Sequence, residues 1–162
     1  METTDDLMRA TEAALRQPAL PPYRLSSIAL RLYLLTAVHH LADVARVARM
    51  RQQFHDALAR AEAPDVLTHQ IRYALRLANA PGPLIYEEMH KLFSLCDEIH
   101  ALRSLGLPAD DALLRQFDRD VRRRFAAQPN EARLAAEYNV ADWSRPLWWY
   151  AENLDDRTPP RT

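Results

Sequence analysis

From Leu25 to about Leu58, apolar residues recur at helical spacing on more than one side of the chain. Leu25, Ile28, Leu32 and Leu35 form one stripe, and Leu30, Leu34, Val38, Leu41 and Ala45 form a second. A helix that is apolar on two sides has to be enclosed by its neighbours. The pattern predicts one long central helix over about 25–61, stopped before Pro64. In its second half Val44, Val47, Phe54 and Leu58 face inward, while Arg46, Arg49, Arg51 and Gln53 are solvated.

Shorter amphipathic segments flank this rod. Thr3 or Thr4 caps a first helix with Asp5 and Asp6 in its first turn, where the helix dipole favours negative charge. Leu7, Thr11, Ala14 and Leu15 share one face of it, and Pro18, Pro21 and Pro22 end it. A helix after Asp65 carries Leu67, Ile71, Ala74, Leu75 and Ala78, and is closed by Pro81-Gly82-Pro83. The next, over 84–105, carries Ile85, Met89, Leu92, Cys96, Ile99 and Leu102, with Gly106 as its C′ residue and Pro108 blocking extension. Another starts near Ala109 with Leu114, Phe117, Val121 and Phe125 inward, and with Asp118–Arg122 and Asp120–Arg124 at ion-pairing spacing. Past Pro129, a short helix through Leu134 and Tyr138 and a final one over 142–154 are expected.

No β-type alternation and no repeat of fixed period is present. The fold class expected is therefore all-α, an antiparallel helical bundle of five to six helices around the long central one. Residues 1–17 form an N-terminal helical arm, 24–154 the bundle and 155–162 a disordered tail. Whether the arm docks on its own domain or on a partner is left open by the pattern.

Composition narrows the class. With 48% apolar and 27% charged residues the chain is globular, and 11 Pro against 2 Gly leave little material for hairpin turns. A formal charge of -1 supplies no global field toward nucleic acid or anionic lipid, so neither is an expected partner. Lys91 is the only Lys among 21 basic residues, a bias expected of a GC-rich bacterial genome. One cysteine, Cys96, excludes an intramolecular disulfide and fits a reducing, cytoplasmic setting. Arg31, His39, His40, Asp43 and Arg46 interrupt the central stretch well short of the roughly 20 apolar residues of a membrane span, and no leader-like run opens the chain.

Three features bear on chemistry. Glu87-x-x-His90 and Asp97-x-x-His100 each place a carboxylate and an imidazole one turn apart on the fourth helix, while His39, His40 and Asp43 cluster on the central one. Helical di-iron sites use Glu-x-x-His, but from two different helices, so a mononuclear metal ion between the two helices is the closer fit. The second feature is the run Arg122-Arg123-Arg124, whose interleaved Asp118 and Asp120 favour an ion-paired face over a nucleic-acid stripe. The third is the C-terminal cluster Trp143, Arg145, Trp148, Trp149 and Tyr150, which holds all three Trp of the chain. Three consecutive large aromatics cannot share one helical face, so the segment is read as a C-terminal lid over one end of the bundle with Trp149 half exposed, as a binding surface anchored by Trp, Tyr and Arg, or as both.

No glycine-rich phosphate loop, nucleophile elbow or zinc-protease motif occurs. The expected function is thus a non-enzymatic protein-interaction or regulatory module, without a cofactor, that binds a protein partner or itself through the C-terminal aromatics. The alternatives are a metal-dependent helical enzyme using His39, His40, Asp43, Glu87, His90, Asp97 and His100, and a helical regulator enclosing an apolar small molecule.

Overall fold

A computed structural model describes residues 3–37, 44–61 and 65–135. Among them there is no strand, and six helices follow in order: α1 (Thr4–Leu15), α2 (Pro22–Ala37), α3 (Val44–Arg60), α4 (Val66–Ala78), α5 (Tyr86–Ser104) and α6 (Asp111–Ala127). A further helical run covers 129–135. The fold is all-α and bundle-like, as the periodicity implies. It divides into two compact units, Met1–His69 with Glu98–Pro108, and Gln70–Asp97 with Ala109–Thr162.

In the first unit, α1, α2 and α3 all pack against one another. Thr3 starts α1 with a capping box: the Asp6 amide donates to Thr3 Oγ1 at 3.1 Å, and the Thr3 amide donates to Asp6 Oδ2 at 3.1 Å. Hydrogen bonds from the Thr3 hydroxyl, the Thr3 amide and Arg9 hold the Asp6 carboxyl below the usual carboxylate range. The docking left open by the sequence is onto α2 and α3, with Leu7, Met8, Thr11 and Leu15 buried. Arg46 of α3 ties the polar edge of α1 by bonding Glu12 and, at 3.3 Å, Asp5. The Glu12 hydrogen bond raises the Arg46 guanidinium further above its ordinary value.

The stretch read as a single central rod is two helices, α2 and α3, lying against each other. A periodicity of 3.6 is kept equally by one long helix and by two that fold together, so spacing alone cannot separate them. Only α2 has the enclosed character expected of the rod: Leu25, Ile28, Leu30, Leu32, Leu34 and Leu35 are all buried. α3 is one-sided, burying Val47, Met50, Phe54 and Ala57, while Val44 is 83% exposed and Ala45 is exposed as well. The rod's stripes predict both inward, and the division of the rod into α2 and α3 turns them out.

α5 is the second enclosed helix. In the first unit it contributes Ile99, Ala101 and Leu102, and in the second Met89, Leu92, Phe93, Leu95 and Cys96, each at 0% exposure. Cys96 is the small buried hydrophobe its stripe implies. Ile85, assigned inward from spacing, is 61% exposed because it precedes the first helical residue of α5, where helical spacing does not apply. Its amide donates to Glu88 at 3.1 Å, the backward half of a capping box. At the other end the Gly106 amide donates to Arg103 O at 3.0 Å and the Leu107 amide to Leu102 O at 3.5 Å. With Gly106 at φ 82°, this is the Schellman arrangement that its position predicts.

In the second unit, Phe93 of α5 stacks on Phe125 of α6 at 4.4 Å between ring centroids. Phe117 and Val121 complete the buried face of α6, which Asp110 caps by accepting from the Leu113 amide at 3.2 Å. The link between α4 and α5 is fastened to α6 by side chains. Arg124 donates to the carbonyls of Ala78, at 2.9 Å, Gly82, at 2.8 Å, and Ala80. Gln128 pairs with both backbone groups of Leu84, accepting from its amide at 2.8 Å and donating to its carbonyl at 2.9 Å.

Two stability predictions follow from these contacts. Arg124→Ala removes a charged donor from three carbonyls, and Gln128→Ala strips Leu84 of its buried partners, so each should cost about 1–3 kcal/mol by urea unfolding. Arg115→Ala on the same helix, at an exposed position, should stay within about 0.5 kcal/mol. Gly106→Ala meets no atom within 4 Å, so its cost is backbone strain alone, about 1–2 kcal/mol, read as a lowered melting temperature.

Candidate functional site

Of the metal-capable set, Glu87, His90, Asp97 and His100 lie on α5, whereas His39, His40 and Asp43 lie outside the described residues. A rise of 1.5 Å per residue separates Glu87 from His100 by about 20 Å along the axis, so the two acid–imidazole couples cannot clasp one ion. Glu87 is exposed and Asp97 buried. His90 is half-buried, with its ring 6.2 Å from that of Tyr86, and its carbonyl accepts from Ser94 Oγ at 3.1 Å. His100 meets the edge of Tyr33 at 5.1 Å. Among the described residues, no group of three or more His, Cys, Asp or Glu side chains is placed to hold a metal ion. The aromatic cluster of Trp143, Arg145, Trp148, Trp149 and Tyr150 falls outside the described residues.

The basic run of α6 is where the structure adds most to the sequence. Arg122 pairs with Asp118 at 3.1 Å, as its spacing implies. The expected Asp120–Arg124 pair is replaced. Asp120 takes Arg119 at 3.1 Å and Arg123 at 3.6 Å, while Arg124 turns to the carbonyls at the end of α4. The reason is that those carbonyls carry the negative end of a helix and a loop with few other donors, and a guanidinium fork satisfies several at once. Asn79 is shared, donating to Asp120 Oδ2 at 2.9 Å and accepting from Arg123 at 2.6 Å.

Burial acts to raise the Asp120 carboxyl, but the Asn79 amide, the Arg119 hydrogen bond and the charges of Arg119 and Arg123 outweigh it, so its pKa is lowered. Sequence reasoning missed Asn79, Arg124 as a backbone clasp, and Gln128. The available signal was the Pro81-Gly82-Pro83 loop, whose carbonyls need donors from elsewhere.

Among the described residues two concavities stand out, both in the first unit. A small notch of about 110 Å³ is lined by Glu12, Arg16, Arg46, Arg49, Met50 and Gln53. Its carboxylate is already engaged, since Glu12 bonds Arg46 and lies 3.7 Å from Arg16. A larger groove of about 640 Å³ runs between the α1–α2 linker, Gln17 to Pro22, and the end of α3 at Ala57, Arg60 and Ala61. Its walls are mostly proline rings and small side chains, with one cation. No described helix is long and apolar enough to cross a membrane. Comparison with protein-family models, with curated proteins and with solved structures finds no match.

The lowered Asp120 pKa sets a pH dependence. A carboxyl whose pKa is lower folded than unfolded stabilises the protein above its unfolded value, near 4, and loses that contribution as the pH falls through the folded value. Asp120→Asn should therefore be less stable than the parent at pH 7, and the gap should close progressively below about pH 4. Urea unfolding across pH 3–7 measures it, and a constant gap would contradict the assignment.

Proposed function

We propose that the protein is a non-enzymatic helical interaction module, bacterial and cytoplasmic, that binds a protein partner or a second copy of itself through Trp143, Arg145, Trp148, Trp149 and Tyr150. One observation at the root of that segment carries the reading. The helical run 129–135 buries Ala132 and Ala135 but leaves Leu134 55% exposed, so an apolar side chain already faces solvent where the chain leads into its three tryptophans.

Ile85 and Tyr86, in the same unit as Leu134, are 61% and 41% exposed. Exposed large apolar side chains are the ordinary composition of a binding patch. Six of the eight charged side chains of α6 add to this, because Asp118, Asp120, Arg119, Arg122, Arg123 and Arg124 are occupied with internal bonds. Affinity on that unit would then rest on apolar and aromatic contacts.

Trp149→Ala separates contact from packing. Light scattering on the parent at micromolar concentration should report an assembly heavier than one chain, and the variant should revert to one chain with an unchanged melting temperature. A drop in melting temperature with unaltered mass would instead mark Trp149 as a core side chain.

A further inference from the structure

The groove beside the α1–α2 linker has a lining suited to aromatic side chains. Pro18, Pro21 and Pro22 line it together with Ala57 and Ala61, and its one charged lining residue is Arg60. Proline-rich stretches present rigid, ring-covered surfaces that pair with aromatic side chains. Its volume of about 640 Å³ leaves room for large side chains in an open depression. Arg60 is exposed and makes no ion pair among the described residues.

The stretch that would complement such a groove is present in the chain. Trp148-Trp149-Tyr150 is followed by Glu152, Asp155 and Asp156, that is, by rings for the proline wall and carboxylates for the guanidinium. We propose that Trp148, Trp149 and Tyr150 of one copy seat in this groove of a second copy, with the following carboxylates facing Arg60, and that the exchange is reciprocal. The inference rests on the reading above that the aromatic segment is the contact surface.

The area favours a dimer held by two such contacts. Large aromatics bury about 150–250 Å² each, so three of them from each copy give roughly 900–1,500 Å² before the groove's own surface is counted. A stable interface of standard size needs about 1,200–2,000 Å² in total. Reciprocal seating also closes with two-fold symmetry, which limits the assembly to two chains.

A photo-crosslinking residue at the exposed Ala19 of the full chain tests this, with ¹⁴N- and ¹⁵N-labelled copies mixed before irradiation. Cross-linked peptides should pair residue 19 of one label with the peptide carrying Trp148 and Trp149 of the other. Cross-links confined to one label overturn the second copy as occupant, and cross-links to other peptides overturn the groove. Arg60→Glu should raise the dimer Kd about threefold or more without changing the melting temperature, and an unchanged Kd removes Arg60 from the contact. If Trp149→Ala abolishes assembly while the cross-links go elsewhere, the groove falls and the aromatic contact surface stands. If Trp149→Ala leaves the assembly intact, both fall.

Discussion

Two helices carry apolar side chains that are buried on more than one side, and keeping them out of water is the constraint that organises each unit. α2 buries nearly every side chain from Leu25 to Leu35, and α5 buries nine of the fourteen residues from Met89 to Leu102. Burying a side chain of this size is worth about 1.5–3 kcal/mol, so neither helix can stand at a surface without a large cost. The other helices are one-sided, and their arrangement follows from what they cover. α1 and α3 lay narrow apolar stripes on α2 and on each other, and α6 brings Phe125 against Phe93. α5 contributes buried side chains to both units, and it is well terminated at both ends.

Polar chemistry in the described residues works mainly to finish backbone valences that the helices leave open. Arg124 and Gln128 occupy one side of α6 and satisfy the chain between Ala78 and Leu84, where the positive-φ Gly82 and two prolines interrupt regular bonding. Asp120 sits behind them and keeps Arg119, Arg123 and Asn79 in register. An arginine-rich helix that looks in one dimension like a surface for anions is therefore, in three, a clasp for a loop. Arg46 repeats the idea between α3 and α1, although there its partners are carboxylates.

This division of labour bears on function. Among the described residues, Leu134, Ile85 and Tyr86 are large apolar side chains left exposed, and a groove lined by three prolines lies beside the α1–α2 linker. A contact built on them would be driven by burial of aromatic area, with charge confined to the rim, where it adjusts affinity and specificity by small amounts. Such a module would be sensitive to the loss of a single indole and tolerant of most surface charge changes.

The sequence by itself determined the helical class, most helix ends and most of the buried faces, because capping residues, prolines and 3.6-residue spacing act locally. Thr3, Asp110 and Gly106 stand where their chemistry requires, and the stripes of α4, α5 and α6 are largely the buried ones. What lay beyond it was every choice that depends on a distant partner. Whether the stretch after Leu25 is one rod or two packed helices, whether Arg124 answers to Asp120 or to three carbonyls more than forty residues away, and whether the first helix docks are all decided by neighbours remote in the chain. Local periodicity is blind to those neighbours, and only the tertiary structure brings them together.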